Sequence, residues 1–201
     1  MPSTTLPPVA RLEVNPHYRQ YGQTLTQADT SNKYKTSEGD GFGNTTKMSS
    51  TGDRLFTVGY GANGPNNDNA SIIYVYKWNT STEQWDEEFT YEGDADAKVG
   101  FSIACNYNGT KFAASSPQST KIYVFDYSGG SWSLTTTIDG TSGGSSYTSS
   151  SFFGWSIDFS NSGDVLVIGS PYHGDGGNVA VYNFTTSTLT CLLYTSDAAD
   201  E

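Results

Sequence analysis

Basic residues and cysteine are scarce in this chain of 201 residues. It has 10 Lys and Arg against 21 Asp and Glu, which gives a formal net charge of −11. Binding to a nucleic-acid backbone or to an anionic membrane surface needs a patch of Lys and Arg, so we expect no nucleic-acid partner. The two cysteines, Cys105 and Cys191, allow one disulfide at most.

Long apolar runs are also missing. No stretch of about 18 apolar residues occurs, so we expect no membrane insertion by this sequence. Residues 1–14 lack the apolar run of a signal peptide. Aromatic residues, in contrast, are plentiful, with 14 Tyr, 10 Phe and 4 Trp. Disordered chains are poor in aromatics, and large rings supply buried apolar area, so the composition predicts a folded chain.

A pair of glycines recurs three times at a fixed spacing. The two members are nine residues apart in each pair, and successive pairs are 57 and 54 residues apart: Gly43 and Gly52, Gly100 and Gly109, Gly154 and Gly163. Self-similarity at a period of about 50 residues is typical of repeat folds, in which each repeat is one supersecondary unit.

Each copy contains short runs of β-branched and aromatic residues separated by polar turns, a pattern that predicts strands. We expect strand one after the first glycine and a two-residue hairpin at the second, where glycine permits positive φ. Strand two is apolar, as in a strand buried on both faces, and strand four alternates, as at an outer edge. The predicted strands two and three are 55–58 and 73–76, 112–114 and 122–125, and 165–168 and 179–182; strand four begins at Trp85 and Trp132 in the first two copies.

The motifs of the third copy resemble the FG-GAP repeat of integrin-α-like propellers. They run from Phe153-Gly154 through Ser162-Gly163-Asp164 and Gly169-Ser170-Pro171 to Val179-Ala180-Val181-Tyr182. The resemblance implies an all-β fold, a partial β-propeller of about three four-stranded blades from a ring of seven. We expect blades at 40–97 and 98–151 and an incomplete blade at 152–190.

Both ends of the chain have a separate interpretation. Residues 1–39 are predicted to be strands of an earlier blade or the strand that closes a propeller ring. Residues 191–201, CLLYTSDAADE, resemble the translation of a transposase sequencing adapter, so we expect the third repeat to stop before its fourth strand. On that interpretation Cys105 is the one native cysteine, and it is expected to be buried and structural.

Candidate binding residues lie on the long loops at one end of the blades, because loops held by a rigid scaffold commonly bind ligands. Tyr60, Asn66 and Asp68 belong to the loop after strand two of the first copy, and Tyr172, His173 and Asp175 to its counterpart in the third copy. Aromatic rings beside amides and carboxylates suit a protein or glycan ligand. The alternative is that these are turn residues chosen for their backbone conformation.

The sequence offers little that resembles a catalytic or metal site. His173 and Asp175 lie two residues apart in a glycine-rich loop, and Glu88 is expected to be solvated. We expect no cofactor. A calcium site is conceivable only in the third copy, where Asp158 and Asp164 flank the turn, since calcium needs six to eight oxygen ligands with several carboxylates.

The sequence therefore favours a non-catalytic propeller module that binds a protein or a glycan, outside the cell or at its surface. Two alternatives stay open. One is an intracellular scaffold resembling kelch or WD40 propellers. The other is a propeller hydrolase or lyase whose catalytic residues lie in further blades.

Overall fold

The chain folds as three antiparallel β-sheets of four strands each, in a computed structural model that describes residues 20–26, 41–62, 66, 70–141 and 147–185 and the backbone of 190–194. The fold is all-β, which confirms the prediction, and each sheet corresponds to one copy of the repeat. We call the sheets blades 1, 2 and 3 in chain order. Apart from one 3₁₀ turn, Ser149–Ser151, the regular elements of the described residues are all strands.

Each blade is an antiparallel meander whose strands pair in chain order. Blade 1 consists of β1 Gly41–Met48, β2 Arg54–Tyr60, β3 Ile72–Asn79 and β4 Gln84–Glu92. Blade 2 consists of β5 Ile103–Cys105, β6 Lys111–Ser116, β7 Lys121–Ser128 and β8 Ser131–Asp139. Blade 3 consists of β9 Ser156–Phe159, β10 Val165–Ser170, β11 Asn178–Asn183 and β12 Thr190–Tyr194.

The second and third strands of each blade carry the core. In blade 2, which has a blade on each side, these strands bury nearly continuous apolar runs, as the sequence predicted. On the outer face of blade 3, Val167 and Val179 remain 39% and 43% exposed. Between blades 1 and 2, Phe56, Val58 and Val75 pack against Phe112 and Phe125, all 0% exposed. A second cluster fills the space between blades 2 and 3, with members Ile122, Val124, Phe153, Leu166 and Ile168.

The first strands of the three blades lie side by side and connect the blades. Thr45 donates its hydroxyl to the Phe101 carbonyl at 3.1 Å. The Tyr107 carbonyl accepts the Ser50 N–H, and the Tyr107 N–H donates to the Asn161 carbonyl, both at 2.9 Å. A radial array of blades joined through their first strands is the arrangement of a propeller.

The first glycine of the second and third pairs is needed where one blade meets the one before it. Gly154 has φ +88°, and a Cβ there would lie 2.8 Å from the Ser115 Cβ and 2.7 Å from the Ile122 Cδ1 of blade 2. Gly100 approaches Val58 of blade 1 in the same way, at 2.6 Å. Positive φ and close approach both exclude larger residues, which explains the recurrence that the sequence showed.

The turn at the second glycine is longer than the predicted two-residue hairpin. Ser49 donates its backbone N–H to the Arg54 carbonyl at 2.9 Å, and its hydroxyl accepts the Arg54 N–H at 3.1 Å. Asn106 and Ser160 close the corresponding turns with their side-chain oxygens. The prediction of turn length was wrong because these side chains supply a local hydrogen bond that extends the loop.

The two ends of the described chain also differ from expectation. Thr190–Tyr194 pairs with β11 as a fourth strand, where the sequence predicted that the third repeat stops short. Backbone pairing at an open sheet edge needs no particular side chain, so the adapter interpretation stays a prediction. Residues 20–26 form no strand; Tyr21 stacks on Trp78 at 3.9 Å, and the Gln23 amide exchanges two hydrogen bonds with the Trp85 backbone.

A charged cluster is buried between blades 1 and 2. The Arg54 guanidinium donates through Nε and Nη2 to the two carboxylate oxygens of Glu88, at 2.9 Å each, and its carbon lies 4.1 Å from the Tyr127 ring centroid. Trp132 Nε1 also donates to Glu88, at 2.9 Å. Burial alone would raise the pKa of Glu88, but these hydrogen bonds lower it. The expectation that Glu88 is solvated was therefore wrong. Glu88 is the extra residue of a β-bulge in β4, opposite Val75 and Tyr76, and the bulge directs its side chain toward Arg54.

Candidate functional site

One end of the blades gathers three sets of residues into a single surface. These are the loops after the second strands, the connections between blades and the starts of the first strands. The Phe101 N–H donates to the Ser115 carbonyl at 3.2 Å, and the Trp155 N–H donates to the Gly169 carbonyl at 3.1 Å. Ser115 and Gly169 lie one residue before the ends of β6 and β10. Phe101 and Trp155 therefore stand at the same end of the blades as the predicted binding loops.

A continuous row of aromatic side chains crosses this end of all three blades. Ring centroids are 6.2 Å apart for Tyr60 and Phe101, 4.9 Å for Phe101 and Trp155, 5.3 Å for Trp155 and Phe152, and 5.5 Å for Phe152 and Tyr172. Tilted and edge-to-face contacts at these distances are favourable for aromatic pairs. We call these five residues the aromatic row.

The aromatic row is open to solvent toward blade 3. Tyr172 is 64% exposed and Trp155 is 44% exposed, whereas Tyr60, Phe101 and Phe152 are half-buried. Burial raises the pKa of Tyr60 above its ordinary value. The row thus presents mixed apolar faces and hydroxyl groups on a surface held by three sheets.

Phe152 joins the row through an unusual backbone conformation. Its φ of 52° lies in the left-handed region, which bulky residues rarely adopt. Lys98, the residue at the same repeat position in blade 2, has φ 50°. The conformation therefore belongs to the repeat, and blade 3 places an aromatic ring where blade 2 places an amine.

The structure brings together two of the six residues that the sequence singled out. Tyr60 and Tyr172 lie at opposite ends of the aromatic row. Asn66 is instead bound to Glu92 at the end of β4, with its backbone N–H 2.9 Å and its Nδ2 2.7 Å from the two carboxylate oxygens. Asp175 is exposed on the loop after β10, and Asp68 lies outside the described residues.

His173 packs inward, beside the row. Its ring lies 4.3 Å from the Tyr147 ring, and its Nδ1 is 3.4 Å from the Ser151 hydroxyl oxygen. Ser151 is only 5% exposed and its hydroxyl oxygen also accepts the Thr148 N–H at 3.1 Å. Tyr147 is fixed in turn by a 2.8 Å hydrogen bond to the Asn178 side chain. This Ser–His contact joins the 3₁₀ turn before β9 to the loop after β10. The Ser151 hydroxyl is too buried to meet a substrate.

Acidic groups predominate at the end that bears the aromatic row. Among the described residues, the carboxylates there are Glu92, Asp94, Asp96, Asp139 and Asp175, and the ammonium groups are Lys98 and Lys121. Burial, with Asp94 nearby, raises the pKa of Tyr123 well above its ordinary value. Four ion pairs of the described residues lie toward the opposite end: Lys47–Asp158, Arg54–Glu88, Lys77–Asp53 and Lys111–Asp126.

The turn considered for calcium has a hydroxyl and a carboxylate that already have protein partners. Ser160 accepts the Val165 N–H, and Asp158 lies 3.5 Å from the Lys47 ammonium. Within the described ranges no group of three or more His, Cys, Asp or Glu side chains could hold a metal ion. The described part of the chain also contains no helix that is long and apolar enough to cross a membrane.

Phe101, Trp155 and Phe152 were missed as site residues, although they flank the glycines that defined the repeat. Both Phe101 and Trp155 directly follow the first glycine of a pair, where the pattern predicted the start of strand one. The alternation of a strand does not show that three neighbouring strands begin at one end of a ring. Only the packing of the blades places these rings in line with Tyr60 and Tyr172.

Comparison with known proteins supports the fold. No family model matches the chain, and no curated protein matches its sequence. Among solved structures, a candidate 6-phosphogluconolactonase from Bacteroides uniformis matches with a TM-score of 0.50 at 15% identity, over 74% of this chain and 39% of that protein. The β-propeller domain of Cps50 (Swd1) from Myceliophteria thermophila matches with 0.49 at 11% identity, over 81% and 41%. A chain of the mitotic checkpoint complex matches with 0.49 at 18% identity, over 80% and 39%.

This chain is a partial β-propeller. It spans about two fifths of the length of the structures it matches. The comparison also corrects the prediction that the chain is not an enzyme, because a protein of this architecture carries an enzyme's name. That prediction was wrong in its reasoning: the lack of a recognisable catalytic motif in three blades does not exclude catalysis by a propeller.

Proposed function

We propose that this chain belongs to an extracellular or cell-surface propeller of the FG-GAP type that holds a protein ligand on the aromatic row. The observation that supports the proposal is the row itself, five rings in contact across three blades, with Trp155 and Tyr172 widely exposed. Tyr and Trp are enriched among the residues that dominate protein–protein binding energies.

The charge at this end of the blades restricts which ligands can bind there. Because carboxylates outnumber ammonium groups there, an acidic or phosphorylated ligand would be repelled, and a neutral or basic segment of a protein would be accepted. The rigid sheets beneath the row mean that little conformational entropy is lost when the rings are covered. A glycan could stack on the same rings, and the experiment below separates the two.

The proposal is tested by the binding of the fluorescent, tetramerised chain to cells of the source organism. Trp155→Ala and Tyr172→Ala should each weaken binding roughly thirty-fold or more, as expected when an exposed aromatic anchor of an interface is removed. Tyr107→Ala is the matched control, since Tyr107 is 52% exposed but lies in the β5–β6 turn at the opposite end of the blades.

Treatment of the cells identifies the chemical class of the ligand. Loss of binding after mild protease treatment, with retention after glycosidase treatment, supports a protein ligand. The reverse pattern supports a glycan and contradicts the proposal. Equal loss of binding in Tyr107→Ala and Trp155→Ala would show that the aromatic row is not the binding surface.

A further inference from the structure

The outer strands of blades 1 and 2 differ sharply in charge. In blade 1, β4 contains Asp86, Glu87, Glu88 and Glu92 within nine residues. In blade 2, β8 also has nine residues, SWSLTTTID, and Asp139 at its end is its one charged residue. Each is the last strand of its sheet, so no further strand of the described residues pairs with its outer edge. Gln23 meets that edge of β4, because its amide bonds with the Trp85 backbone.

An uncharged outer edge is open to pairing with another strand. Proteins protect exposed edges with charges, prolines, bulges or short strands. β4 has carboxylates as well as a bulge. β8 has a bulge between the partners of Val124 and Phe125, where the Thr135 hydroxyl donates to Asp126 of β7 at 2.8 Å, but it has no charged residue of its own before Asp139. Ser133, Leu134, Thr135 and Thr137 are exposed along β8, and Leu134 is 43% exposed.

The side chains of β8 favour the extended conformation, and two of them anchor the strand in the clusters on opposite faces of blade 2. Thr has a high strand propensity, and three threonines follow one another at 135–137. Trp132 and Ile138 anchor the strand, since they are 8% and 3% exposed. The edge is therefore pre-organised, and little order has to be gained when it pairs.

We infer that β8 pairs antiparallel with β8 of a second copy of this chain, about a two-fold axis. Two copies with a net charge of −11 repel each other over most of their surface. Contact through β4 would set Asp86 and Glu87 against the same residues of the partner, and like charges on paired strands are destabilising. Contact through β8 sets serine, threonine and leucine against one another, and an antiparallel pair of identical strands is compatible with closed two-fold symmetry.

The inference is tested by sedimentation velocity of the full chain over a hundred-fold range of concentration. We expect a monomer–dimer equilibrium for the wild type. Leu134→Lys should raise the dimer dissociation constant at least ten-fold, because the two-fold axis brings the introduced charges of both copies together.

Val167→Lys is the matched control on a different surface. Val167 is 39% exposed on the outer face of blade 3, away from β8, so this variant should dimerise as the wild type does. Thr137→Lys places a charge at a second exposed position of β8, so the inference can still be tested if Leu134→Lys does not fold. Hydrogen exchange supplies an independent measurement: amides of Ser131–Asp139 should exchange more slowly as the concentration of the wild-type chain rises.

A monomeric wild type throughout the range would overturn the inference. So would self-association that persists in both β8 variants or that is lost in Val167→Lys. Dissociation by the β8 variants, with concentration-dependent protection of the β8 amides, would establish this edge as the interface.

Discussion

Replacement of Glu88 by alanine should destabilise the chain far more than replacement of its neighbour Glu87. Arg54 is 5% exposed, and both of its hydrogen bonds to Glu88 are 2.9 Å long. Removal of one partner from a buried ion pair leaves an uncompensated charge, which costs about 3–5 kcal/mol. Because the Glu88 side chain is 17% exposed, some water can reach the site, and we expect a loss near 3 kcal/mol, at the lower end of that range.

The assay is urea unfolding of the purified chain followed by tryptophan fluorescence. Glu87→Ala should change the free energy of unfolding by about 0.5 kcal/mol or less, since Glu87 is exposed on the same strand. Joint replacement, Arg54→Met with Glu88→Leu, should recover most of the stability, because an apolar pair of similar volume needs no countercharge. The reasoning fails if Glu88→Ala costs no more than Glu87→Ala, or if the joint variant is no more stable than Glu88→Ala.

Three further predictions concern other parts of the blades. Burial would raise the pKa of Asp53, but hydrogen bonds from Lys77 and its own turn lower it to about 2. The stability that the ionised Asp53 contributes is therefore present above about pH 4 and lost as the pH falls through 2. In thermal unfolding measured between pH 4 and pH 2, the melting temperature of Asp53→Asn should depend less on pH than that of the wild type. Burial raises the pKa of Cys105 to about 11, so a thiol reagent at pH 8 should label this residue only on unfolding; rapid labelling of the native chain would contradict its burial. Gly154→Ala should cost about 1–3 kcal/mol more than Gly43→Ala in urea unfolding, because both have φ above 80° but only Gly154 abuts another blade among the described residues; equal losses would exclude the clash.

Much of the blade architecture could be predicted from the sequence because the same pattern of strands and turns recurs in three copies. The second glycine of each pair located the turn between the first two strands, and the apolar runs of β2, β6 and β10 identified the second strands. The first glycines did not locate the strand starts, since β1 begins at Gly41 and β5 at Ile103. The candidate site was predicted only in outline. Tyr60 and Tyr172 were named from loop composition, but nothing local showed that their rings belong to one row.

The contact partners of side chains that are distant in sequence could not be predicted from the sequence. Glu88 looked like a solvated residue on an outer strand, yet a bulge turns it toward Arg54 and Trp132. Asn66 looked like a ligand-binding amide, yet it is bound to Glu92. In each case the partner is more than twenty residues away, and it is brought close only by sheet register.

The sequence by itself determined the all-β class, the repeat and the positions of the turns, because strand periodicity and positive-φ glycines are local properties. The tertiary structure alone decided which rings meet and which charges are buried. The physical reason is that Phe101, Trp155 and Tyr172 are displayed by separate elements, and their distances depend on how blades pack rather than on any property of their own segments.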